Sequence, residues 1–457
     1  MFSSAAAVVM LRCWQAARKY CHTMLFLLST MMLHSATECL MSILQTTSNH
    51  QLPNGEDAMP SLPELHSDEL AIATVNLDVV PVSKKTTWLF LRAEFSDGSI
   101  GFGEASYFGH ETAVVADAAH ISKVAAGEKL VVFEPALARF STPKTSHSMS
   151  SLLSALEQAM LSGMAQRAGL PVSVMLGGNR RRSVPVYANI NRGVFDRSPQ
   201  GFAEAALAAQ RLGYQAVKMA PFDGLRWDQT EIEKHEDLLR AGVARVAAVR
   251  AAIGDQCRLL VDCHWRFDMK MATRAIAMLS EFNPFWLEDL VDTENTDGVE
   301  LRRLRDIAHG KDILVAGGEN IWTMNDALSL LGKDGLDVML PDLRQTGILQ
   351  GRSILDVAAA HGVKTSLHNP AGPLLDAMSV QMAAILPDFL ILERQVNESP
   401  IYDALIETPI VLQDGNLQVP SLPGLGVIVS RAEMEIHSLP GGSDLEIPVS
   451  RGGGPNA

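Results

Sequence analysis

The chain has 457 residues, of which 47% are hydrophobic and 20% charged, and its formal net charge is -14. These values are typical of a globular protein with a large core. So negative a charge argues against nucleic acid or an anionic membrane as a partner, although a bound metal ion would still permit an anionic substrate.

The N-terminal extension, residues 1–67, differs from the rest of the chain. Its most apolar stretch, MLFLLSTMML at 24–33, is shorter than the roughly 20 residues that span a bilayer. Basic residues before this stretch and HSA after it resemble a secretory signal. Several later methionines support the other interpretation, an over-extended start, which we favour. We therefore predict a cytoplasmic protein whose fold begins after residue 67.

Residues 68–182 predict a small α+β domain. The stretch DELAIATVNLDVVPV and the stretch TTWLFLRAEFSDGSIGFGEAS have strand-like patterns, with a turn at Asp97-Gly98. Residues 111–167 are predicted to be helical. A strand hairpin followed by helices is typical of an α+β unit.

Residues 183–399 alternate between short apolar runs and amphipathic helical stretches. The eight runs are VPVYANI, AVKMAPF, RLLVDCH, PFWLEDL, DILVAGGE, VMLPDL, KTSLH and FLILER. Eight strand–helix alternations predict a (β/α)₈ barrel, with a doubly wound open sheet as the alternative. No glycine-rich phosphate loop follows the first run, which argues against nucleotide binding.

Ionisable residues stand at seven consecutive strand ends of the predicted barrel. They are Lys218, Asp262 with His264, Glu288, Glu319, Asp342, His368 and Glu393. The carboxyl ends of barrel strands meet at one mouth, where the chemistry of such barrels lies. Carboxylates brought close together repel one another, so Asp262, Glu288 and Glu319 on adjacent strands call for a cation. Oxygen ligands of this kind suit Mg²⁺.

Histidine placement supports a functional mouth. Of the 13 histidines, only His264 and His368 fall at predicted barrel strand ends. Either one alone could be a structural histidine, but the two together, near three carboxylates, indicate acid–base chemistry.

The motifs, taken in order, resemble the enolase superfamily, in its branch of mandelate racemase and muconate lactonizing enzymes. They are GFGEAS, LPVSVMLGG, VKM, VDCHWRFD, WLEDL, GGEN, PDLRQTG, SLHNPAGP and DGNLQVPSLPGLGV, and they extend over residues 70–437. The resemblance implies an α/β fold, a modified TIM (β/α)-barrel with an α+β capping domain. We predict the cap at 68–182, the barrel at 183–399, a segment completing the cap at 400–437, and a tail at 438–457.

The resemblance also implies roles for the strand-end residues. Asp262, Glu288 and Glu319 would bind one Mg²⁺ per subunit, and Asp342 would pair with His368 as an acid/base dyad. Glu393 would hydrogen-bond a substrate carboxylate oxygen. The shared step of the family is removal of the proton next to a carboxylate, giving a metal-held enediolate. The metal acts as a Lewis acid, and Lys218 can add a second positive charge.

Three departures refine the expected reaction. Lys218-Met219-Ala220 lacks the second lysine of the racemase Lys-x-Lys pattern, which argues against a lysine/histidine racemase or a cycloisomerase. His264 stands where the racemase pattern has asparagine, and this Asp-x-His ending resembles galactonate and mannonate dehydratases. Glu288-Asp289-Leu290 replaces Glu-Glu-Pro and keeps the ligand.

The sequence thus predicts a dehydratase that converts an aldonate-type acid sugar to a 2-keto-3-deoxy acid. We assign His264 as the base and His368 as the acid, and substrate stereochemistry could reverse these roles. A racemase, epimerase or cycloisomerase is the alternative among enzymes, and a non-catalytic metal- and ligand-binding barrel is the alternative outside them. We expect a homo-oligomer that binds a small carboxylate and neither nucleic acid nor membrane.

The cap loop EASYFGHET is predicted to close over the mouth. Tyr107, Phe108 and His110 are its candidate substrate contacts, and an ordinary exposed loop is the alternative. Arg192, at the end of the first barrel strand, is a further candidate contact for a substrate hydroxyl or carboxylate.

Overall fold

The computed structural model describes residues 71–83, 86–127 and 146–439. The predicted extension at 1–67 lies outside these ranges, as does the tail from residue 440 onward. Across the described ranges, none of the helices combines the length and apolarity that a membrane crossing requires.

The cap begins with a three-stranded antiparallel sheet on which two helices pack. The elements are β1 (Ile72–Pro81), β2 (Thr87–Phe95), β3 (Ile100–Glu104), α1 (Glu111–Ala125) and α2 (His147–Arg167). The turn predicted at Asp97-Gly98 joins β2 to β3, and Gly98 has a φ of 81°. A Cβ on Gly101 would lie 1.8 Å from the Ala159 carbonyl oxygen, so helix α2 packs directly on the backbone of β3.

The barrel consists of eight parallel strands. They are β4 (Ser183–Asn189), β5 (Ala216–Met219), β6 (Arg258–Asp262), β7 (Trp286–Glu288), β8 (Leu314–Gly317), β9 (Val338–Met339), β10 (Lys364–Leu367) and β11 (Phe389–Gln395). Each strand pairs with the next in sequence, and β11 pairs with β4 to close the sheet. Each coincides with one of the eight predicted runs, with β4 and β11 extending one residue beyond theirs, so the closed barrel is confirmed over the open sheet.

Helices follow the strands. They are α3 (Val172–Met175), α4 (Pro199–Arg211), α5 (Ile232–Ile253), α6 (Met269–Leu279), α7 (Gly298–His309), α8 (Met324–Gly332), α9 (Leu343–Thr346), α10 (Ile348–Ala360), α11 (Pro373–Ile385), α12 (Ile401–Ala404) and α13 (Arg431–His437), with short 3₁₀ helices at Asn191–Gly193 and Ser280–Phe282. Most bury one face, as amphipathic helices do. Helix α11 is buried along its whole length, because it contacts barrel strands on one side and cap strand β3 on the other.

Two buried carboxylates of the cap bind the N-terminal ends of barrel helices. Glu104 accepts hydrogen bonds from the backbone N–H groups of Gly372, Leu374 and Leu375, at 2.6, 3.1 and 3.0 Å. Glu157 likewise accepts from the first N–H groups of α10. The first four N–H groups of a helix lack partners within the helix, so these carboxylates fix the cap on the barrel.

The segment at 400–437 contacts both the barrel and the cap. Its hairpin, β12 (Leu412–Gln413) and β13 (Asn416–Gln418), pairs antiparallel with the start of β4. Helix α13 contacts β1, and the Leu439 N–H donates to the Val79 carbonyl oxygen at 2.8 Å.

Candidate active site

Lys218 lies among three carboxylates inside the barrel. Its Nζ is 2.6 Å from Glu288 Oε1, 3.3 Å from Glu393 Oε2 and 3.6 Å from Asp262 Oδ2. The side chains of Lys218, Glu288 and Glu393 are completely buried. Burial alone would lower the pKa of Lys218, but Glu288 and Glu393 outweigh it and hold the pKa well above its usual value. The lysine is therefore a permanent positive charge at the centre of the site.

The structure groups three carboxylates closely enough to share one ion. One oxygen each of Glu288, Asp289 and Glu319 lies within 4.8 Å of the others. Burial and neighbouring carboxylates raise the pKa of Asp289 and Glu319 well above ordinary values, whereas for Glu288 the Lys218 ammonium opposes the same effect. Two of the three were predicted as metal ligands from the sequence, whereas Asp289 was not. The signal for Asp289 in the sequence is the second acid of WLEDL, which follows Glu288 directly.

Asp262, the third predicted ligand, adjoins this group without belonging to it. It pairs in register with Glu288 on the neighbouring strand, and its Oδ2 faces His264 and Lys218. Burial would raise the pKa of Asp262, but His264 and Lys218 together hold it far below the usual range. Asp262 is thus ionised at neutral pH.

His264 reaches the site through a turn rather than through strand alternation. Strand β6 ends at Asp262, and both His264 and Trp265 adopt left-handed backbone conformations, with φ of 47° and 52°. The turn folds the imidazole back, so that Nε2 lies 3.0 Å from Asp262 Oδ2 while the backbone N–H of His264 donates to Asp262 Oδ1. Its side chain is 28% exposed, which leaves it accessible from the barrel mouth.

His368 and Asp342 are brought together as predicted. His368 Nδ1 lies 3.0 Å from Asp342 Oδ2, and its Nε2 lies 3.2 Å from Glu319 Oε2. Arg344 also binds Asp342, with Nε 3.0 Å from both carboxylate oxygens. Burial opposes ionisation of Asp342, but Arg344 and His368 outweigh it and hold its pKa far below the usual range. The dyad therefore contains an ionised carboxylate shared between an imidazole and a guanidinium.

Glu393 is held by several donors. Its oxygens accept hydrogen bonds from Asn189 Nδ2, from the Asn369 N–H at 3.1 Å and from Tyr187 at 3.3 Å, in addition to Lys218. Burial alone would raise the pKa of Glu393. Lys218, followed by His368, lowers it by more than burial raises it, so the pKa lies below its usual value. The contacts of Glu393 are those of an ionised acceptor that holds Lys218 in place.

The cap loop contacts the barrel through Tyr107. Its hydroxyl lies 2.9 Å from His147 Nδ1 and accepts from Gln345 Nε2 at 3.0 Å. The Arg344 guanidinium lies 4.6 Å from the centre of the Tyr107 ring. His110 adds a ring contact to Tyr107 at 5.1 Å. His147 and Gln345 were not predicted as partners of Tyr107, because they lie far from it in the chain.

Arg192 and Phe108 form a second contact between cap and barrel. The Arg192 guanidinium lies 5.4 Å from the centre of the Phe108 ring and 3.5 Å from Glu398 Oε1. Arg192 is on the short 3₁₀ helix after β4. The four candidate substrate contacts thus lie where the cap meets the barrel mouth.

Comparisons with known proteins identify the family and the fold. The family described as "Enolase C-terminal domain-like" matches residues 201–433. A D-xylonate dehydratase of Haloferax volcanii is 28% identical over 366 residues, which are 78% of this chain and 86% of that protein. A D-gluconate dehydratase of Thermoproteus tenax is 32% identical over 299 residues, 65% of this chain and 57% of that protein. The crystal structure of a mandelate racemase/muconate lactonizing enzyme from Jannaschia sp. CCS1 matches with a TM-score of 0.70 at 25% identity, covering 81% of this chain and 98% of that one.

Proposed function

Because the chain belongs to the enolase superfamily, we propose that it is a Mg²⁺-dependent dehydratase acting on an aldonate-type acid sugar. The reaction removes the proton next to the substrate carboxylate and expels the β-hydroxyl as water. The enol that results becomes a 2-keto-3-deoxy acid. The observation that carries the proposal is the placement of two imidazoles, His264 on Asp262 and His368 on Asp342 and Glu319, beside one cluster of carboxylates. Relatives that act on xylonate and gluconate support this substrate class.

The residues present fit a hard divalent cation. The donors are oxygens alone, and burial, followed by the neighbouring carboxylates, raises the pKa of Glu319. Such a donor set suits Mg²⁺. We assign Asp262, Glu288 and Glu319 as its ligands. A bound Mg²⁺ would stabilise the negative charge that develops on the substrate carboxylate.

The two histidines divide the proton transfers. His264, partly exposed to the mouth, takes the α-proton. Asp342 accepts a hydrogen bond from His368 Nδ1 and so orients the ring. Nε2, which lies 3.2 Å from Glu319 Oε2, would deliver a proton to the departing hydroxyl. Two imidazoles suit an elimination, which needs one base and one acid in the same turnover.

Lys218 and Glu393 serve the same step electrostatically. The buried ammonium of Lys218 supports charge on the substrate oxygens. Glu393 holds that ammonium, and we retain the proposal that Glu393 also hydrogen-bonds a substrate carboxylate oxygen. Tyr107, His110 and Arg192 would contact the distal part of the substrate from the cap side.

A screen of acid sugars tests the proposal. Each compound is incubated with the protein and Mg²⁺, and 2-keto acids are detected with semicarbazide. Dehydration creates a new ketone, and we expect one or a few aldonates to give it. Epimerisation gives no ketone but a changed NMR spectrum, and a non-catalytic binder gives only a rise in melting temperature. Either of these results would replace the dehydratase assignment.

A further inference from the structure

Asp289 is a buried acid with no role in the site as proposed above. It follows the last residue of β7 and has a left-handed φ of 46°. Its N–H donates to the Ala316 carbonyl oxygen at 3.0 Å, and its own carbonyl oxygen accepts from the Trp265 N–H at 2.6 Å. The backbone is therefore fixed between two neighbouring barrel segments, and the position of the side chain is fixed with it.

The carboxylate of Asp289 lies in the acid cluster without a partner. The residue is 1% exposed, and neither carboxylate oxygen has a hydrogen-bond partner within the described residues. A buried carboxylate is normally paired or bound to a metal.

The backbone around Asp289 leaves space for this carboxylate. A Cβ on Gly317 would lie 2.8 Å from Asp289 Oδ1, so only glycine at position 317 accommodates the group as it stands. On another side is a cavity of about 310 Å³, whose lining includes Asp289, Gly318 and Asn320. Asp289 thus borders this cavity, although its carboxylate oxygens are buried.

The buried lysine of the site is already engaged by other carboxylates. Lys218 contacts Glu288, Glu393 and Asp262. The oxygen of Asp289 lies within 4.8 Å of those of Glu288 and Glu319. Two oxygens on opposite sides of one Mg²⁺ are separated by about 4.2 Å, twice the usual Mg–O distance. Oxygens no more than 4.8 Å apart are close enough to bind one such ion together.

We propose that Asp289 is a fourth carboxylate of the metal centre, in addition to Asp262, Glu288 and Glu319. This inference rests on the metal site of the proposed function and adds a residue to it. A fourth carboxylate raises the negative charge around the ion and so increases the affinity of the site for Mg²⁺.

Calorimetric titration of the full chain with MgCl₂ tests this role apart from turnover. Asp289→Asn keeps the size of the side chain and removes its charge, and we expect it to weaken Mg²⁺ binding about 10–100-fold. Without metal, the variant should melt at the same temperature as the wild type or higher, because a buried unpaired charge is gone. Glu294→Gln, an exposed acid lining the same cavity, is the matched control and should bind Mg²⁺ like the wild type.

The outcomes separate the two proposals. If the wild type binds no Mg²⁺, the metal site of the proposed function is wrong. If the wild type and Asp289→Asn bind Mg²⁺ equally well, only the role of Asp289 is wrong. Should the variant not fold, wild-type crystals soaked in Mn²⁺ decide the question through anomalous scattering. An ion bound by Asp289 or sharing a water with it supports the inference, and an ion beyond that reach overturns it.

Discussion

The ammonium of Lys218 lies 2.6 Å from the carboxylate of Glu288, and both side chains are completely buried inside the barrel. Lys218 lies on β5 and Glu288 on β7, and β6 pairs in parallel with both strands, so a single strand separates the two residues. Trp286 donates a further hydrogen bond to the second oxygen of Glu288, at 3.1 Å. Glu288 is thereby oriented before any ligand binds, and its orientation depends on the lysine.

Removing the lysine should destabilise the metal-free protein. Lys218→Met leaves Glu288 and Glu393 buried without their cation, and breaking a buried ion pair in this way typically costs about 3–5 kcal/mol. Urea unfolding in EDTA, followed by circular dichroism, measures the loss. Lys364→Met is the control, because Lys364 pairs with Asp388 at the surface, where such pairs contribute about 0–1 kcal/mol. Equal stability of the two variants would contradict the electrostatic account of the site.

Replacing the proposed base should abolish turnover and spare metal binding. His264→Asn removes the imidazole but none of the three carboxylates, so kcat should fall about 10²–10⁴-fold while Mg²⁺ affinity changes little. Exchange of the α-proton in D₂O, followed by NMR, should be lost in the same variant. His368→Asn should also stop dehydration yet retain that exchange. The opposite pattern of exchange would swap the two roles, and near-normal turnover in both variants would exclude the dehydratase mechanism.

The acid cluster should make the metal-free protein more stable at mildly acidic pH. Burial, followed by Asp289 and Asp262, raises the pKa of Glu319 in the folded protein. The folded state thus binds this proton more tightly than the unfolded state, whose pKa is about 4.3. Above the folded pKa, Glu319 is ionised in both states and its buried charge lowers the free energy of unfolding by the full amount. This loss of stability becomes smaller as the pH falls and disappears near the pKa of the unfolded state.

Comparison with Glu319→Gln isolates this effect. In EDTA at pH 8 the variant should be more stable than the wild type by about 1–3 kcal/mol, and the difference should shrink at pH 6.5 and again at pH 5. Thermal unfolding at the three pH values measures it. A difference that does not change with pH would mean that Glu319 keeps an ordinary pKa.

The contact between cap and barrel should depend on Glu104. Glu104→Gln replaces one acceptor oxygen by an N–H₂ group that faces the N–H groups at the start of α11, so we expect a loss of about 1.5–3 kcal/mol. Urea unfolding measures it, and Glu94→Gln, an exposed acid on β2, serves as the control. If the two variants lose equal stability, the buried carboxylate does not fix the cap.

The barrel and most of its strand-end residues could be predicted from the sequence. Apolar runs of strand length alternating with amphipathic helices admit few closed arrangements, and the carboxyl ends of parallel strands converge whatever the packing details. Asp262, Glu288 and Glu319 were therefore expected at one mouth. The pairing of Asp342 with His368 was expected from the family resemblance.

Other parts of the site depend on tertiary structure. The left-handed turn at His264 and Trp265 combines a local contact, from the His264 N–H to Asp262, with a tertiary one, from the Trp265 N–H to the Asp289 carbonyl oxygen. The Asp289 carboxylate has no hydrogen-bond partner because of the groups that pack around it in the folded protein. A sequence motif does not show that packing.

The contacts of the cap have the same origin. Tyr107 meets His147 across 40 residues of sequence, and Glu104 meets Gly372 across 268. Local propensity determines where strands and helices form, because it acts within a few residues. Which side chains meet between the cap and the barrel is decided only when the two dock, since that docking buries their polar groups and requires each to find a partner.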